Sequence, residues 1–169
     1  MLINFNKKFL NKKYIKKIIE AFDYAFDYLK IKTKDVEVNI NFVSETEIRR
    51  INNEFRKKDT KTDVISFPNL LEEGRENMQL IVDKLSKDNF IMDINPENNC
   101  LFLGDICICK KVAFVHAKEY GNSKLREMVY MAVHGLLHLL GYDHIIEDEK
   151  KIMREVEEEI MNKIDLRRY

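Results

Sequence analysis

The sequence contains little that would place the protein outside a cell or in a membrane. Only three of its 169 residues are cysteine, and an odd number of cysteines predicts free thiols in a reducing compartment. No stretch approaches the ~20 apolar residues that a membrane-spanning helix needs. The N-terminal MLINFNKKFLNKK also lacks the apolar core of a signal peptide. We therefore expect a soluble, cytoplasmic protein that has no membrane partner.

A surplus of charge of either sign is missing as well. The 29 lysines and arginines balance 29 acidic residues, which neither requires nor excludes a nucleic-acid partner because local charge can differ from the sum. The length predicts a single domain over residues 1–169. Because 45% of the residues are hydrophobic, the chain can bury a sizeable core, and we expect its folding not to require a metal or disulfides.

Hydrophobic periodicity and turn residues predict a chain of alternating helices and strands. The predicted helices cover 11–29, 44 to about 55 with a Ser44–Glu47 capping box, 110–120, 122 or 123 to 140, and 147–164. The predicted strands cover 36–43, 64–67 before Pro68, and 101–109, where Gly104 suggests a bulge or a close approach. Residues 56–63 form a predicted loop. Residues 69–99 fit either a long hairpin or a loose insertion.

Three of the four histidines lie close together in the sequence, at positions 134, 138 and 144. His134 and His138 are four residues apart on a predicted helix, so both imidazoles project from one face. Gly141 then ends the helix and turns the chain, which allows His144 to supply a third ligand. Three protein ligands with an open fourth position are typical of a catalytic zinc site. We therefore predict one divalent ion, preferably zinc, rather than three unrelated histidines.

Neighbouring residues narrow the chemistry of this predicted site. A glycine inside a helix costs ~1 kcal/mol relative to alanine, so Gly135 predicts the close approach of another segment or a ligand. Because Gly135 follows His134, the general-base glutamate of H-E-x-x-H zinc peptidases is absent. His116 stands alone on its helix, and we assign it no role. Cys107 and Cys109 share one strand face and could bind metal, but small buried hydrophobes are the better interpretation.

A phosphodiester substrate would also need cations that hold its phosphate. Arg56 is a candidate, because a guanidinium binds phosphate oxygens in a bidentate way. Lys57, Lys58 and Lys61 follow it and could contact RNA, although such a run is also typical of a solvated loop. Asp143 could orient a histidine ligand through a hydrogen bond, and capping a turn is equally consistent with its position.

The histidine segment HGLLHLLGYDH (134–144) resembles the signature H-G-x-x-H-L-x-G-Y-D-H of the YbeY family, the endoribonucleases of rRNA maturation. All fixed positions of that signature match. Three further stretches resemble the same family in the same order: FRKKDTKTDVISFP (55–68), LGDICIC (103–109) and the acidic helix after His144. The resemblance extends from about residue 40 to the C-terminus, with a weaker N-terminal helix before it.

This resemblance implies a small α+β domain, with a mixed sheet packed against helices and a metal site in a cleft between helices and sheet. It implies a metal-dependent, single-strand-specific endoribonuclease that matures the 3′ end of 16S rRNA in the small ribosomal subunit and takes part in ribosome quality control. The family's three metal ligands correspond to His134, His138 and His144. Its functional arginine corresponds to Arg56.

One segment departs from the family pattern, and two other functions stay open. The stretch between Pro68 and Leu103 looks longer than usual, so we expect an insertion at 69–100 that alters the border of the cleft. A metallohydrolase acting on peptides or small molecules is one alternative. The other is a non-enzymatic RNA-binding or ribosome-assembly factor with a structural metal, for which Asp148 could serve as a fourth ligand.

Overall fold

One mixed sheet organises the computed structural model, which describes residues 1–6, 11–72, 78 and 80–167. Its strands are β1 (Leu2–Phe5), β2 (Val36–Phe42), β3 (Val64–Pro68), β4 (Ile94–Asn95) and β5 (Cys100–Ile108). They lie in the order β1-β2-β5-β3, and the short β4 also pairs with β5. The pairs β1–β2 and β2–β5 are parallel, whereas β3 and β4 run antiparallel to β5.

Helices pack on this sheet and complete an α+β fold, as predicted. The described residues form α1 (Lys12–Tyr28), α2 (Glu45–Arg56), α3 (Lys110–Glu119), α4 (Lys124–Leu139) and α5 (Glu147–Lys163). No helix in this part of the chain has the length and apolar character needed to span a membrane. The central helix is α4, which contacts β3, β5, α1, α3 and α5. It buries residues on most of its circumference, as expected for a helix enclosed by other elements.

The termini of the helices explain several differences from the predicted boundaries. The Ser44 hydroxyl accepts the Glu47 N–H at 3.2 Å, but the Glu47 carboxylate binds Arg50, so the predicted capping box is only half formed. Arg56 is the last residue of α2 rather than the first residue of a loop. Lys57 then adopts a left-handed conformation with φ of 58°, which ends the helix.

The strand β1 was not predicted. Its four residues, LINF, are exposed or only partly buried, and their place in the sheet comes from parallel pairing with β2. Such a pairing joins residues more than thirty positions apart, such as Ile3 and Val38. Local pattern does not reveal a contact of this kind, because the strand gains its hydrogen bonds only when β2 is already in place.

Residues 69–99 are partly anchored to the core. Ile81 and Leu85 are buried, and the Ile81 N–H donates to the Leu140 carbonyl at 3.2 Å. The predicted hairpin is present only as the short β4–β5 pair, whereas Ile91 and Met92 are 69% and 91% exposed. Residues 73–77 and 79 lie outside the described part of the chain, and the longer insertion stays a prediction.

Close contacts at two glycines hold α4 and β3 against β5. At Gly104, with φ of +138°, a Cβ would lie 2.1 Å from the Phe67 carbonyl oxygen, and the register of β2 and β5 shifts beside it. This confirms the expected bulge and close approach. At Gly135, a Cβ would lie 2.6 Å from Cγ2 of Ile106 on β5. The segment whose close approach the helical glycine predicted is therefore β5.

Cys107 and Cys109 lie in a second, smaller hydrophobic cluster between the sheet and α2. Both are buried, together with Ile48, Ile51 and Ile65. Burial raises the pKa of the Cys107 thiol to about 11, and the nearby Asp105 and Glu47 add to the shift. The thiol therefore stays protonated at neutral pH, which agrees with the interpretation of these cysteines as small buried hydrophobes.

We expect Gly135→Ala to destabilise the fold, because the added methyl group overlaps Ile106. The overpacking cost is typically ~1–3 kcal/mol, against which the alanine recovers ~1 kcal/mol of helix propensity. Chemical denaturation of Gly135→Ala, Ile106→Ala and the double variant measures the coupling. We expect Ile106→Ala to cost less in the Gly135→Ala background than alone. Additive effects would contradict the close contact.

Candidate metal centre

The fold brings the three predicted histidine ligands together at the C-terminal end of α4. His134 and His138 occupy successive turns of that helix, and Gly141, with φ of +95°, turns the chain back. The three imidazole rings then lie with centroids 4.5, 5.1 and 5.4 Å apart. Their ligand nitrogens all lie within 4.8 Å of one another. In the described part of the chain no carboxylate or thiolate joins this group, and Asp148 is exposed.

Hydrogen bonds on the outer nitrogens fix how these rings face one another. Nδ1 of His134 donates to Oε1 of Glu157 at 2.7 Å, and Nδ1 of His138 donates to the Tyr142 carbonyl at 3.0 Å. In a neutral imidazole with its proton on Nδ1, Nε2 carries a lone pair. The two Nε2 atoms lie only 3.0 Å apart, where their lone pairs repel each other.

A divalent cation would remove this repulsion. In a tetrahedral zinc site, two nitrogen ligands that each lie ~2.0–2.1 Å from the ion are ~3.3 Å apart. This is close to the separation of the two Nε2 atoms. An imidazole whose other nitrogen donates to a carboxylate or a carbonyl is also the usual form of a metal-bound histidine. The arrangement of His134, His138 and His144 therefore fits a bound metal ion.

The electrostatic surroundings keep His138 neutral. Burial lowers its pKa to about 3, with further lowering from His134, His144 and Arg56. A metal ion binds the neutral imidazole and competes with protons for it. Because His138 stays unprotonated across the neutral range, little proton competition is expected at this ligand.

Sequence reasoning missed Glu157, whose carboxylate supports the site from α5. It is 3% exposed and accepts the Tyr130 hydroxyl at 2.7 Å in addition to Nδ1 of His134. Helical spacing contained the signal, because Glu157 follows the buried Met153 by four residues and precedes the buried Ile160 by three. Several exposed acidic residues surround it on the same helix, and the sequence pattern does not distinguish them from the buried carboxylate that contacts a histidine.

Arg56 lies beside the histidine group although it is distant in sequence. Its positive charge contributes to the lowered pKa of His138, and its own guanidinium interacts electrostatically with Asp63 and Asp143. Crowding by protein atoms lowers the Arg56 pKa, and these two carboxylates oppose the shift. The side chain nevertheless keeps exposed surface, so it can meet a ligand from solvent.

The other predicted site residues differ in position. Lys57 donates to the Glu54 carbonyl at 3.0 Å, and Lys61 forms an ion pair with Glu45 at 2.8 Å. Lys58 is exposed. Asp143 accepts the backbone N–H of His144 at 2.8 Å, which is a turn-capping contact, and its orienting role on a histidine stays a prediction.

His116, to which the sequence assigned no role, has a partner in the structure. Its Nδ1 lies 3.0 Å from Oδ2 of Asp63, the residue that precedes β3. Asp63 is held in turn by the backbone N–H of Val64 at 2.8 Å. The pair joins α3 to the start of β3, a contact between segments that local sequence cannot relate.

Comparison with known proteins identifies the family of this fold and histidine group. The family model described as "Endoribonuclease YbeY" matches residues 2–165. The chain belongs to the YbeY family. A protein of Clostridium botulinum strain 657 named Endoribonuclease YbeY is 40% identical over 164 residues, which cover 96% of this chain and 95% of that protein. One of Finegoldia magna with the same name is 42% identical over 130 residues, 77% of this chain and 70% of that protein.

The fold resembles that of a solved protein over most of the chain. The solution structure of TM1509 from Thermotoga maritima is 25% identical, with a TM-score of 0.55, and the alignment covers 96% of this chain and 91% of that one. The mixed sheet with its surrounding helices is therefore an arrangement shared with a solved protein. Within it, the YbeY histidine signature corresponds to the end of α4 and the turn that follows.

Replacing Glu157 with glutamine should weaken metal binding without removing it, because the amide keeps the shape but loses the charge that supports His134. We expect affinity to fall ~10–100-fold, measured by competition with a chelating dye. His138→Ala, which removes a ligand, should abolish stoichiometric binding, and Glu159→Gln provides a matched control on the exposed side of α5. Equal affinities of Glu157→Gln and wild type would exclude the supporting role.

Proposed function

We propose that this protein is a zinc-dependent endoribonuclease that cleaves single-stranded RNA, with the 3′ end of 16S rRNA in the small ribosomal subunit as its substrate and a part in ribosome quality control. The observation that carries this proposal is the imidazole group at the end of α4, with two Nε2 atoms converging at 3.0 Å, in a chain of the YbeY endoribonuclease family. Nδ1 of His134 and Nδ1 of His138 each donate a hydrogen bond, which leaves the two Nε2 atoms available as metal ligands. We place the activity in the cytoplasm.

The residues of the chain have distinct roles in this proposal. His134, His138 and His144 hold the metal, and Glu157 keeps the proton of His134 on Nδ1, so that Nε2 remains a ligand. When bound, a divalent ion supplies Lewis acidity, which activates water and stabilises charge on a phosphoryl oxygen. In the described part of the chain no Cys, Asp or Glu joins the three histidines, and water or substrate would complete the coordination of a bound ion.

Arg56 is the residue that we propose to bind the phosphate at which RNA is cleaved. Negative charge on that phosphate grows in the transition state, and one divalent ion neutralises it incompletely. A guanidinium can donate two parallel hydrogen bonds to phosphate oxygens. The electrostatic effect of Arg56 on His138 supports its placement within reach of the same phosphate. Lys57, Lys58 and Lys61 would contact the RNA backbone farther from the reaction.

The activity itself can be tested against the two alternative functions. Wild-type protein should cleave an unstructured RNA, and it should leave the same RNA intact when that RNA is in a duplex. The cleavage activity should be lost when a chelator is added and should return when zinc is added back. A casein digest run in parallel should show no product, because His134 is followed by Gly135 instead of the general-base glutamate of zinc peptidases. Casein cleavage would favour a peptidase. Metal-dependent stability without any cleavage would favour a structural metal.

Arg56→Ala should reduce RNA cleavage about a hundredfold or more, the ~2.7–4 kcal/mol that a transition-state donor typically contributes. Metal content and melting temperature should stay nearly unchanged. Arg56→Lys should recover activity only in part, because an ammonium is a point charge without the bidentate fork.

Lys57→Ala is the matched control for this experiment, since it removes an adjacent exposed cation. If Arg56 were merely one of several solvated cations, both alanine variants would have small, similar effects that fade with added salt. Measuring both at two salt concentrations separates a specific phosphate contact from general attraction. Near-wild-type cleavage by Arg56→Ala would refute the catalytic assignment.

A further inference from the structure

A polar cavity of about 410 Å³ opens directly beside His134. Its volume lies within the ~300–1,000 Å³ range of small-molecule sites. Its walls come from α3, α4, α5 and the segment that begins β3, and they include Asp63, His116 and Tyr130. His134 belongs both to this wall and to the candidate metal centre, so a group bound in the cavity would lie next to the metal.

The charges of the wall do not suit a phosphate. Three acidic residues, Asp63, Glu127 and Glu158, face two arginines. One of these, Arg126, is 3% exposed and already forms an ion pair with Glu158 at 3.0 Å. The wall therefore offers no surplus of positive charge for an anion. A neutral ligand rich in hydrogen-bonding groups fits it better.

The wall also carries polar side chains that reach the surface of the cavity. Asn122 and Glu158 line the cavity and are partly exposed. His116 adds a further polar edge, because Asp63 holds only its Nδ1.

An exposed aromatic ring stands at the same wall. Tyr120 follows the last residue of α3, is 58% exposed, and lies with its ring centroid 5.8 Å from that of His116 at an interplanar angle of 42°. Aromatic rings of this kind are the surfaces on which proteins stack unpaired bases. A planar, neutral ligand with hydrogen-bonding groups would therefore match the charge, the polar side chains and the aromatic ring of this cavity.

Asp63 connects the cavity to Arg56, the proposed phosphate-binding residue. Its carboxylate pairs with His116 inside the wall and interacts electrostatically with Arg56. The cavity is thus bordered by His134, a candidate metal ligand, and by Asp63, which interacts with the guanidinium that we propose to hold the phosphate. A nucleotide whose phosphate is bound at Arg56 and the metal would have its base within reach of this cavity.

We propose that this cavity binds one unpaired nucleobase of the nucleotide adjoining the cleaved phosphodiester. The inference rests on the proposed endoribonuclease function and gives a physical reason why the enzyme would prefer single-stranded RNA to duplex RNA. A base that occupies the cavity has left its stack and its pairing partner. Duplex RNA would have to break a base pair before it reaches the metal, whereas single-stranded RNA would not.

The test uses zinc-loaded protein and an RNA oligonucleotide that is cut at one bond, with an abasic nucleotide placed in turn on either side of that bond. For the wild type, kcat/KM should fall roughly 5- to 150-fold at one of the two positions, the range carried by base–aromatic stacking. Tyr120→Ala should lower kcat/KM on intact RNA by a similar factor. On the sensitive abasic RNA this variant should show no further loss, because the base and the ring act as a pair.

Val115→Ala is the matched control, because Val115 lies on the same helix, is 54% exposed and is not part of this cavity. It should retain the full sensitivity to the missing base. His116→Ala, a second wall variant, should behave like Tyr120→Ala. Equal cleavage of intact and abasic RNAs by the wild type, or strictly additive losses with both wall variants, would overturn the proposal.

Failure of the nuclease function would show differently, as no cleavage of any RNA by the wild type. In that case the role of the cavity is tested by a binding measurement, in which fluorescent 2-aminopurine replaces the base in the same oligonucleotide. A fluorescence change on binding to wild-type protein that disappears with Tyr120→Ala and persists with Val115→Ala would support base binding. The same change with all three proteins, or none with the wild type, would refute it.

Discussion

The contact between α4 and β5 at Gly135 and Ile106 determines where the functional groups of this protein can be. A Cβ added at Gly135 would lie only 2.6 Å from Ile106, so the helix packs too close to the sheet to leave room for a side chain at this position. On α4, the residues that flank Gly135 on the side facing the sheet are buried in the core. His134 and His138 occupy the stripe that remains partly open, and the packing of an almost fully buried helix holds them there.

This rigid placement creates an electrostatic conflict that a metal ion can relieve. The Nδ1 contacts of His134 and His138 direct the lone pairs of both Nε2 atoms toward each other, and burial keeps His138 neutral. Protein sites that bind cations share this combination of converging lone pairs and fixed outer hydrogen bonds. Glu157 adds a buried negative charge behind His134, which offsets part of the positive charge that a divalent ion would bring into the interior.

Asp63 and Arg56 extend the site beyond its ligands. They lie at opposite ends of the segment between α2 and β3, and the fold brings both to the side of α4 that carries the histidines. Asp63 connects this segment to His116 on α3, so the polar cavity and the guanidinium border a common region. A substrate that bridges them would be recognised by its charge at one end and by a planar neutral group at the other.

The sequence by itself determined the elements that depend on short-range pattern. Helical spacing identified α1 and α4, the i, i+4 pair with a histidine beyond Gly141 identified three candidate ligands, and Gly135 indicated a close approach. These features follow from periodicity, which any segment displays without its partners. The histidine signature also indicated the YbeY family. Its implied arginine, Arg56, was identified only through that resemblance and a basic run.

Only the tertiary structure decided which distant groups meet. The parallel pairing of β1, the carboxylate of Glu157 behind His134, and the partner of His116 each join segments that lie far apart in the chain. The burial of Glu157 beside His134, among mostly exposed acidic residues on α5, depends on how that helix packs against α4. Local sequence lacks this information, because the energy of such contacts arises only when both surfaces are brought together and lose water.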